Sequence, residues 1–449
     1  MNYPLWMDRR ICHLAAALAI SGCLALSVAW AEEVPFPIKP GDKLNVDRVV
    51  SIAIERQPQL AAAQSTVRAS ESRIGQAVSA YLPQISATAG YSKIKSPDSS
   101  LKSSGSETTI NGRNPYEQYS GSINASQLLY DFGKTPNQIW IQKYGAEAAR
   151  GDLGSVRGNI ILAARQAYYA LLQAQHTRAV AHEVTTQFEQ HLQQAKAFFE
   201  VGTKPKFDVT KAEADLSTAK LNLIKAENSL KLAKVTLNNA MGVPDAPDYT
   251  IEDSLNVVKK EITLAAAVDT AYRNRPELLA SQSRVKAADE QISYAYKGFF
   301  PSISAVGAYN RDGRDFLPPE GWNAGVSMTW QLFNGFQTVH QVREARANLD
   351  TARSNYELLK QNVLLEVQQA YLQLLQAKES IPTAELGVKQ ATENLEIATG
   401  RYNAGVGSPI EVTDAQILYA NAKIAYTQAL YDYQVSTASL ERAIGGIGQ

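Results

Sequence analysis

The chain is one unit written twice, and this duplication limits its folds more than any other feature. Residues 58–91 reappear at 276–309 without a gap, at an offset of 218, with 14 of the 34 aligned positions identical. The first copy opens Pro58-Gln59-Leu60 and closes at Tyr91; the second opens Pro276-Glu277-Leu278 and closes at Tyr309. A second block recurs at an offset of 203, where Ala167, Tyr168, Leu171 and Leu172 match Ala370, Tyr371, Leu374 and Leu375. The same offset carries Gly202, Asp208, Val209, Thr210 and Ala212 onto Gly405, Glu411, Val412, Thr413 and Ala415. Such a period is too long for a solenoid. Two similar halves lying side by side are expected.

The N-terminus reads as a secretory signal. Arg9 and Arg10 supply the positive region, 14–29 is an apolar run, and Ala29-Trp30-Ala31 is a small-x-small cleavage site. Two other readings stay open: a twin-arginine signal at Arg9-Arg10, and a lipoprotein box at Ile20-Ser21-Gly22-Cys23 that would acylate Cys23. The expected division is a signal over 1–31, a first repeat over 32–245, a linker over 246–262 and a second repeat over 263–449. Both cysteines, Cys12 and Cys23, lie in the signal, so a chain cut after Ala31 has no disulfide or thiol chemistry. Lys and Arg number 44, as do Asp and Glu, and this zero balance argues against a nucleic-acid partner. No other stretch reaches 18 consecutive apolar residues, so no transmembrane helix is expected.

Most of the remaining chain reads as long helix. Val209, Leu216, Leu223, Leu230 and Leu237 stand seven apart, with Ala212, Ala219, Ala226, Ala233 and Ala240 at the other seam position. Val412, Tyr419, Tyr426, Tyr433 and Leu440 repeat the pattern against Ala415, Ala422, Ala429, Ser436 and Ala443. A strict heptad means left-handed supercoiling, and large against small side chains lets helices approach closely. The pattern predicts helices at about 46–80, 134–199 and 207–242, then at 264–298, 337–402 and 410–445. Each long helix would run roughly 100 Å, matched by two short ones end to end. Pro382 is expected to interrupt and kink the long helix of the second copy.

Between the short and long helices the period changes to two. Ile85, Ala87, Ala89 and Tyr91 alternate with Ser86, Thr88, Gly90 and Ser92, and Tyr119, Gly121, Ile123 and Ala125 alternate with Ser120, Ser122, Asn124 and Ser126. The second copy gives Ile303, Ala305, Gly307 and Tyr309, then Ala324, Val326, Met328 and Trp330, on its apolar sides. Segments about ten residues long, apolar on one side and small and polar on the other, have the length and pattern of outer-membrane barrel strands. Residues 93–118, rich in Ser and Gly around Asn111-Gly112, and 311–321, with Pro318-Pro319, read as exposed loops. Four strands cannot close a barrel. A dimer would give eight and a trimer twelve, and the small polar inward faces favour the trimer's wider lumen.

Catalytic chemistry finds no support. His176, His182, His191 and His340 show no ligand spacing, and the first three are expected on a helix surface. No phosphate loop, GxSxG motif or metal-ligand cluster appears, so neither enzyme activity nor a cofactor is implied.

With these features together, the chain resembles the TolC family of outer-membrane efflux proteins over nearly all of its length after the signal. The most specific elements are two helix–turn–helix tips: Phe199-Glu200-Val201-Gly202 through Asp208-Val209-Thr210, and Tyr402-Asn403-Ala404-Gly405 through Glu411-Val412-Thr413-Asp414-Ala415. The resemblance implies a mainly α fold with a transmembrane β-barrel portion: a homotrimeric channel with four strands and long coiled-coil helices per copy. It implies export of drugs, metals or secreted proteins across outer-membrane lipid, with a periplasmic adaptor and an inner-membrane pump of the RND, ABC or MFS type as partners. By similarity, Glu411 and Asp414 fall where the family places acidic rings at its periplasmic constriction, and Tyr402 and Asp208 where a hydrogen bond restrains the gate. Gly202, Val209, Gly405 and Val412 fall where the adaptor docks. Gly407 replaces a basic latch residue of some members, and Phe207 replaces a threonine. The residues alone also allow a structural or adhesive periplasmic coiled coil, or a stand-alone diffusion porin.

Overall fold

The computed structural model describes residues 38–95, 99–103, 106–110, 115–253 and 262–446. The expected signal over 1–31 with its two cysteines, the Asn111-Gly112 step and linker residues 254–261 lie outside the described residues. There are two compact units. In the smaller, residues 38–42 meet 247–249, with the Gly41 N–H donating to the Asp248 carbonyl at 2.8 Å. The larger, Lys43–Ala246 with Thr250–Gln449, contains every element below.

In chain order these are β1 (Lys43–Leu44), α1 (Val46–Arg56), α2 (Pro58–Val78), β2 (Gln84–Ile94), β3 (Ser99–Ser103), β4 (Ser106–Ile110), β5 (Tyr116–Tyr130), α3 (Lys134–Glu200) and α4 (Lys206–Met241). There follow β6 (Thr250–Ile251), α5 (Leu264–Asn274), α6 (Pro276–Tyr296), β7 (Ser302–Gly313), β8 (Glu320–Thr329), α7 (Gln337–Asn403) and α8 (Pro409–Ala443). The two long helices, α3 and α7, have the same length, 67 residues.

Two expectations about the helices need correction. The single helices expected at 46–80 and 264–298 are each two, broken before Pro58 and Pro276. Proline crowds the residue before it out of the helical region, so Gln57 and Arg275 take ψ of 118° and 121°. The proline then serves as the first residue of the next helix, where its missing N–H costs nothing. Asn45 and Thr263 cap the shorter helices by accepting from the Arg48 and Ala266 N–H groups. Pro382, by contrast, does not interrupt α7, which is one helix from Gln337 to Asn403.

Each break is seated on a glycine from the end of its own repeat. Gly242 ends α4 at φ 72°, where a side chain would meet the Arg56 carbonyl oxygen at 2.8 Å. Gly445 follows α8 at φ 74°, where a side chain would meet the Asn274 carbonyl at 2.9 Å. The left-handed turn and the close approach both require glycine.

The small-residue seams pack as the heptads predict. Ala212, Ala219 and Ala226 are buried, while Leu216, Leu223 and Leu230 beside them are half-buried. One core cluster joins Ala267, Ala271, Leu278, Val363, Val367, Ala370, Leu440 and Ala443, from α5 to α8. An ionic knot lies where α3, α6, α7 and α8 meet. Arg442, 7 % exposed, donates to Glu277 and to Asn159 Oδ1 (2.8 Å), while Arg275, 4 % exposed, bonds Glu366 at 2.6 Å. Burial works against ionisation of Glu277, but the hydrogen bond and charge of Arg442, with the Ser155 hydroxyl, hold its carboxyl at about 2.

The sheet order is β2-β5-β7-β8, antiparallel throughout. Ala87 lies opposite Ile123, Ile123 opposite Tyr309, and Tyr309 opposite Trp322, so these residues share a face. Ser86 opposite Asn124, and Ser304 opposite Ser327, belong to the other face, where the Thr88 and Ser122 hydroxyls bond at 2.7 Å. The apolar face is bare: Ile85 is 72 % exposed, Val326 69 % and Trp322 79 %. A bulge between Leu128 and Tyr130 shifts the register at the helix-proximal end of β5. The segment 93–118, expected as an exposed loop, carries a two-stranded ladder of β3 with β4. Its Thr108-Thr109-Ile110 run is β-branched and suits extended backbone. Among the described residues no helix is long and apolar enough to cross a membrane.

Candidate functional site

The two helix tips are built alike. At the first, the Gly202 N–H donates to Phe199 O (3.0 Å) and the Thr203 N–H to Phe198 O (2.9 Å). At the second, the Gly405 N–H donates to Tyr402 O (3.0 Å) and the Val406 N–H to Arg401 O (3.1 Å). Gly202 and Gly405 take φ of 76° and 79°, which ends α3 and α7 and turns the chain back. The next helices begin at Lys206 and at Pro409, the latter behind a Ser408 cap that accepts from the Ile410 N–H at 3.2 Å.

Tyr402 is the centre of the arrangement. It is fully buried, with its ring 5.0 Å from His191 and 5.9 Å from Phe198, and with the Lys204 ammonium 5.2 Å from its centroid. Lys204 also reaches the Gly407 carbonyl at 3.5 Å, so one basic side chain crosses from the first tip to the second. The Tyr402 hydroxyl is enclosed. Burial pushes the phenol's pKa up, and the charge of Asp208, 4 % exposed, and its hydrogen bonding to the hydroxyl add to this. The structure thus brings Tyr402 and Asp208, the two residues expected to restrain the gate, side by side.

The turn itself requires Gly407. A side chain there would meet the Tyr402 nitrogen at 2.8 Å and the Arg401 carbonyl carbon at 3.0 Å. The turn folds so tightly onto the end of α7 that only glycine fits. Glu411 and Asp414 are exposed; Glu411 is 3.4 Å from Arg401 of its own tip, while Asp414 makes no hydrogen bond or ion pair among the described residues. Gly202 and Gly405 are exposed, Val209 is half-buried, and Val412 is buried.

Below the tips, polar rungs tie α8 to the first helix pair. Thr413 donates to Asp215 at 2.8 Å, and Lys211 pairs with the same carboxylate at 2.5 Å. Tyr419 and Lys423 both donate to Glu183, at 2.7 and 2.8 Å. Burial pushes the Glu183 carboxyl up, but Lys423 and Tyr419 more than offset this and hold it below the usual range. Gln173 bonds Gln428 further along, and Gln194 bonds Asn403 nearer the tip.

His191 is 5 % exposed, which corrects its expected place on the helix surface. It stands in the series Val184, Phe188, His191, Ala195, Phe198, whose alternating steps of four and three make a heptad seam. That spacing was the available signal. His182 is exposed as expected, and His176 faces Asp253 at 3.2 Å.

Comparison with known proteins agrees with this architecture. The profile of the outer membrane efflux protein family matches residues 49–243 and 267–446. The chain is 25 % identical to the outer membrane protein TolC of Vibrio cholerae, over 94 % of this chain and 93 % of that one. It is similar in fold to the outer membrane channel CmeC of Campylobacter jejuni (TM-score 0.75, 21 % identity, 89 % of this chain and 85 % of that one). It is also similar to CusC (TM-score 0.78, 19 % identity, 92 % and 97 %). The matching family is one of channels rather than enzymes. The chain belongs to the outer membrane efflux protein family, and it is an outer-membrane channel for export.

Proposed function

We infer that three copies of the chain assemble into one channel-tunnel that passes cargo from an inner-membrane pump to the exterior. The observation that carries this reading is the pair of open sheet edges, β2 and β8, beside a bare apolar face. In lipid each unpartnered backbone group costs several kcal/mol, so the edges must join those of other copies. Three copies give twelve strands, wide enough for a lumen lined by Ser86, Asn124, Ser304 and Ser327. A soluble coiled-coil protein would not leave Ile85, Trp322 and Val326 uncovered.

In the trimer the two repeats, 32–245 and 263–449 about the 246–262 linker, each supply one tip, so six tips close the periplasmic end. Glu411 and Asp414 form acidic rings there; their exposure supports this role. Tyr402 and Asp208 hold the closed state through packing and proximity. Gly202, Gly405 and Val209 are accessible to a periplasmic adaptor, whereas buried Val412 is reached only when the tip rearranges. An RND, ABC or MFS pump supplies small molecules or secreted proteins as cargo.

Cysteines placed in β2 and β8 test the assembly, since the mature chain offers no competing thiol if cleaved after Ala31. Oxidation in outer-membrane fractions should yield a covalent trimer on denaturing gels. A ladder that stops at the dimer, or no cross-link, would refute it.

A further inference from the structure

The tips have a titratable group where separation would begin. His191 on α3 lies against the Tyr402 ring of α7. The same ring carries the Lys204 ammonium from the tip turn. From α4 the charges acting on the imidazole are Asp208, Asp215 and Lys211. Asp215 is already held by Lys211 at 2.5 Å and by the Thr413 hydroxyl at 2.8 Å. No carboxylate of α8 acts on His191; Glu411 and Asp414 are exposed. Two enclosed oxygens, Gln187 Oε1 and Gln416 Oε1, make no hydrogen bond among the described residues, and Gln187 is one helical turn before His191. Water entering as the helices part would satisfy such groups.

We propose that His191 makes closure of the tips sensitive to acid: neutral, its imidazole seals α3 against Tyr402, and a second proton favours parting of the two helices. The cation would lie buried, beside Lys211, with Asp215 already engaged by Lys211 and Thr413 and with Asp208 against Tyr402. Burial holds the imidazole below its ordinary pKa; Asp215 and Asp208 pull the other way, and Lys211 adds to the lowering. Once the helices part, the imidazole is hydrated and its pKa returns to about 6.5. The open state therefore binds more protons, and opening gains as pH falls below that value. A glutamine at this position could pack there but could not titrate.

The proposal rests on the tips being the gate, and single-channel conductance in planar bilayers separates the two ideas. Between pH 7.5 and 5 the unaltered trimer should open several-fold, and His191→Gln should be flat. The double variant Glu411→Gln with Asp414→Asn should keep the acid response, which excludes the exposed carboxylates as its source. Tyr402→Ala should raise conductance at pH 7.5 by removing the ring itself. An unaltered trimer that ignores acid, or a His191→Gln trimer that still responds, overturns the role of His191. If Tyr402→Ala opens the channel while His191→Gln responds like the parent, the gate stands and this proposal alone fails. If Tyr402→Ala also changes nothing, the gate reading fails with it.

Discussion

Glu277 gives the sharpest energetic prediction. Its carboxyl is held at about 2 instead of 4.5, chiefly by Arg442 working against burial. A displacement of about 2.5 units at 1.36 kcal/mol each corresponds to about 3 kcal/mol of stability at neutral pH. The figure needs little discount for solvent, because the Glu277 side chain is 20 % exposed and that of Arg442 is 8 % exposed. Because the folded pKa is lowered, this contribution is present above the unfolded value, near 4.5, and disappears as pH falls toward 2. Glu277→Gln should therefore cost about 3 kcal/mol at pH 7, since it leaves Arg442 and Arg275 beside a neutral amide. The loss should shrink steadily between pH 5 and pH 2, where the parent carboxylate also becomes neutral. Unfolding followed by helical circular dichroism in detergent, with Glu71→Gln as a control, measures this. Glu71 pairs with Arg150 in the open, and its loss should cost under about 1 kcal/mol. If the two variants are equally stable at pH 7, or if the Glu277→Gln deficit persists unchanged at pH 2, the linkage argument is wrong.

Three further outcomes follow from the sheet and tips. Ala87→Arg and Ala305→Arg should each cost about 2–4 kcal/mol of membrane insertion near the midplane, while Ser86→Arg and Ser304→Arg insert normally; the reverse pattern in outer-membrane fractionation would put the register out by one. Tyr402→Phe and Asp208→Ala should each raise resting conductance, because each removes one side of the Tyr402–Asp208 contact; unchanged conductance in both variants would show that closure depends on other contacts. Glu411→Ala with Asp414→Ala should abolish most block by multivalent cations from the periplasmic side and weaken cation selectivity while trimers still form; an unchanged reversal potential would remove these residues from the constriction.

Period and spacing made the fold class legible before any coordinates. The step from period two to seven located the strands and long helices, and Ala212, Ala219 and Ala226 fall in the seam they mark. What periodicity cannot supply is the identity of the neighbour across a seam. A polar residue type on an amphipathic helix suggests a surface place for His191, but its position between Phe188 and Ala195 puts it in the seam. The breaks at Pro58 and Pro276 are local signals that a helix range of 46–80 or 264–298 passes over; the steric demand on Gln57 and Arg275 prevails. Gly407 looked like a missing side chain, and only the path of the backbone shows that there is no room for one. The contacts of Lys204 with Tyr402 and Gly407 join residues about 200 apart, which no local pattern announces.

The equal length of α3 and α7 restricts how this protein can change over time. Every added residue advances a helix end by about 1.5 Å and turns it by about 100°, so lengthening one repeat alone would carry its tip past the other. A four-residue insertion in α3 would displace Lys204 by about 6 Å, beyond reach of the Gly407 carbonyl. Insertions in the long helices must therefore be matched between repeats or removed by selection. The change of offset from 218 to 203 falls instead between the strands, where the first loop is the longer. Length can therefore change between the strands without moving one helix tip past the other.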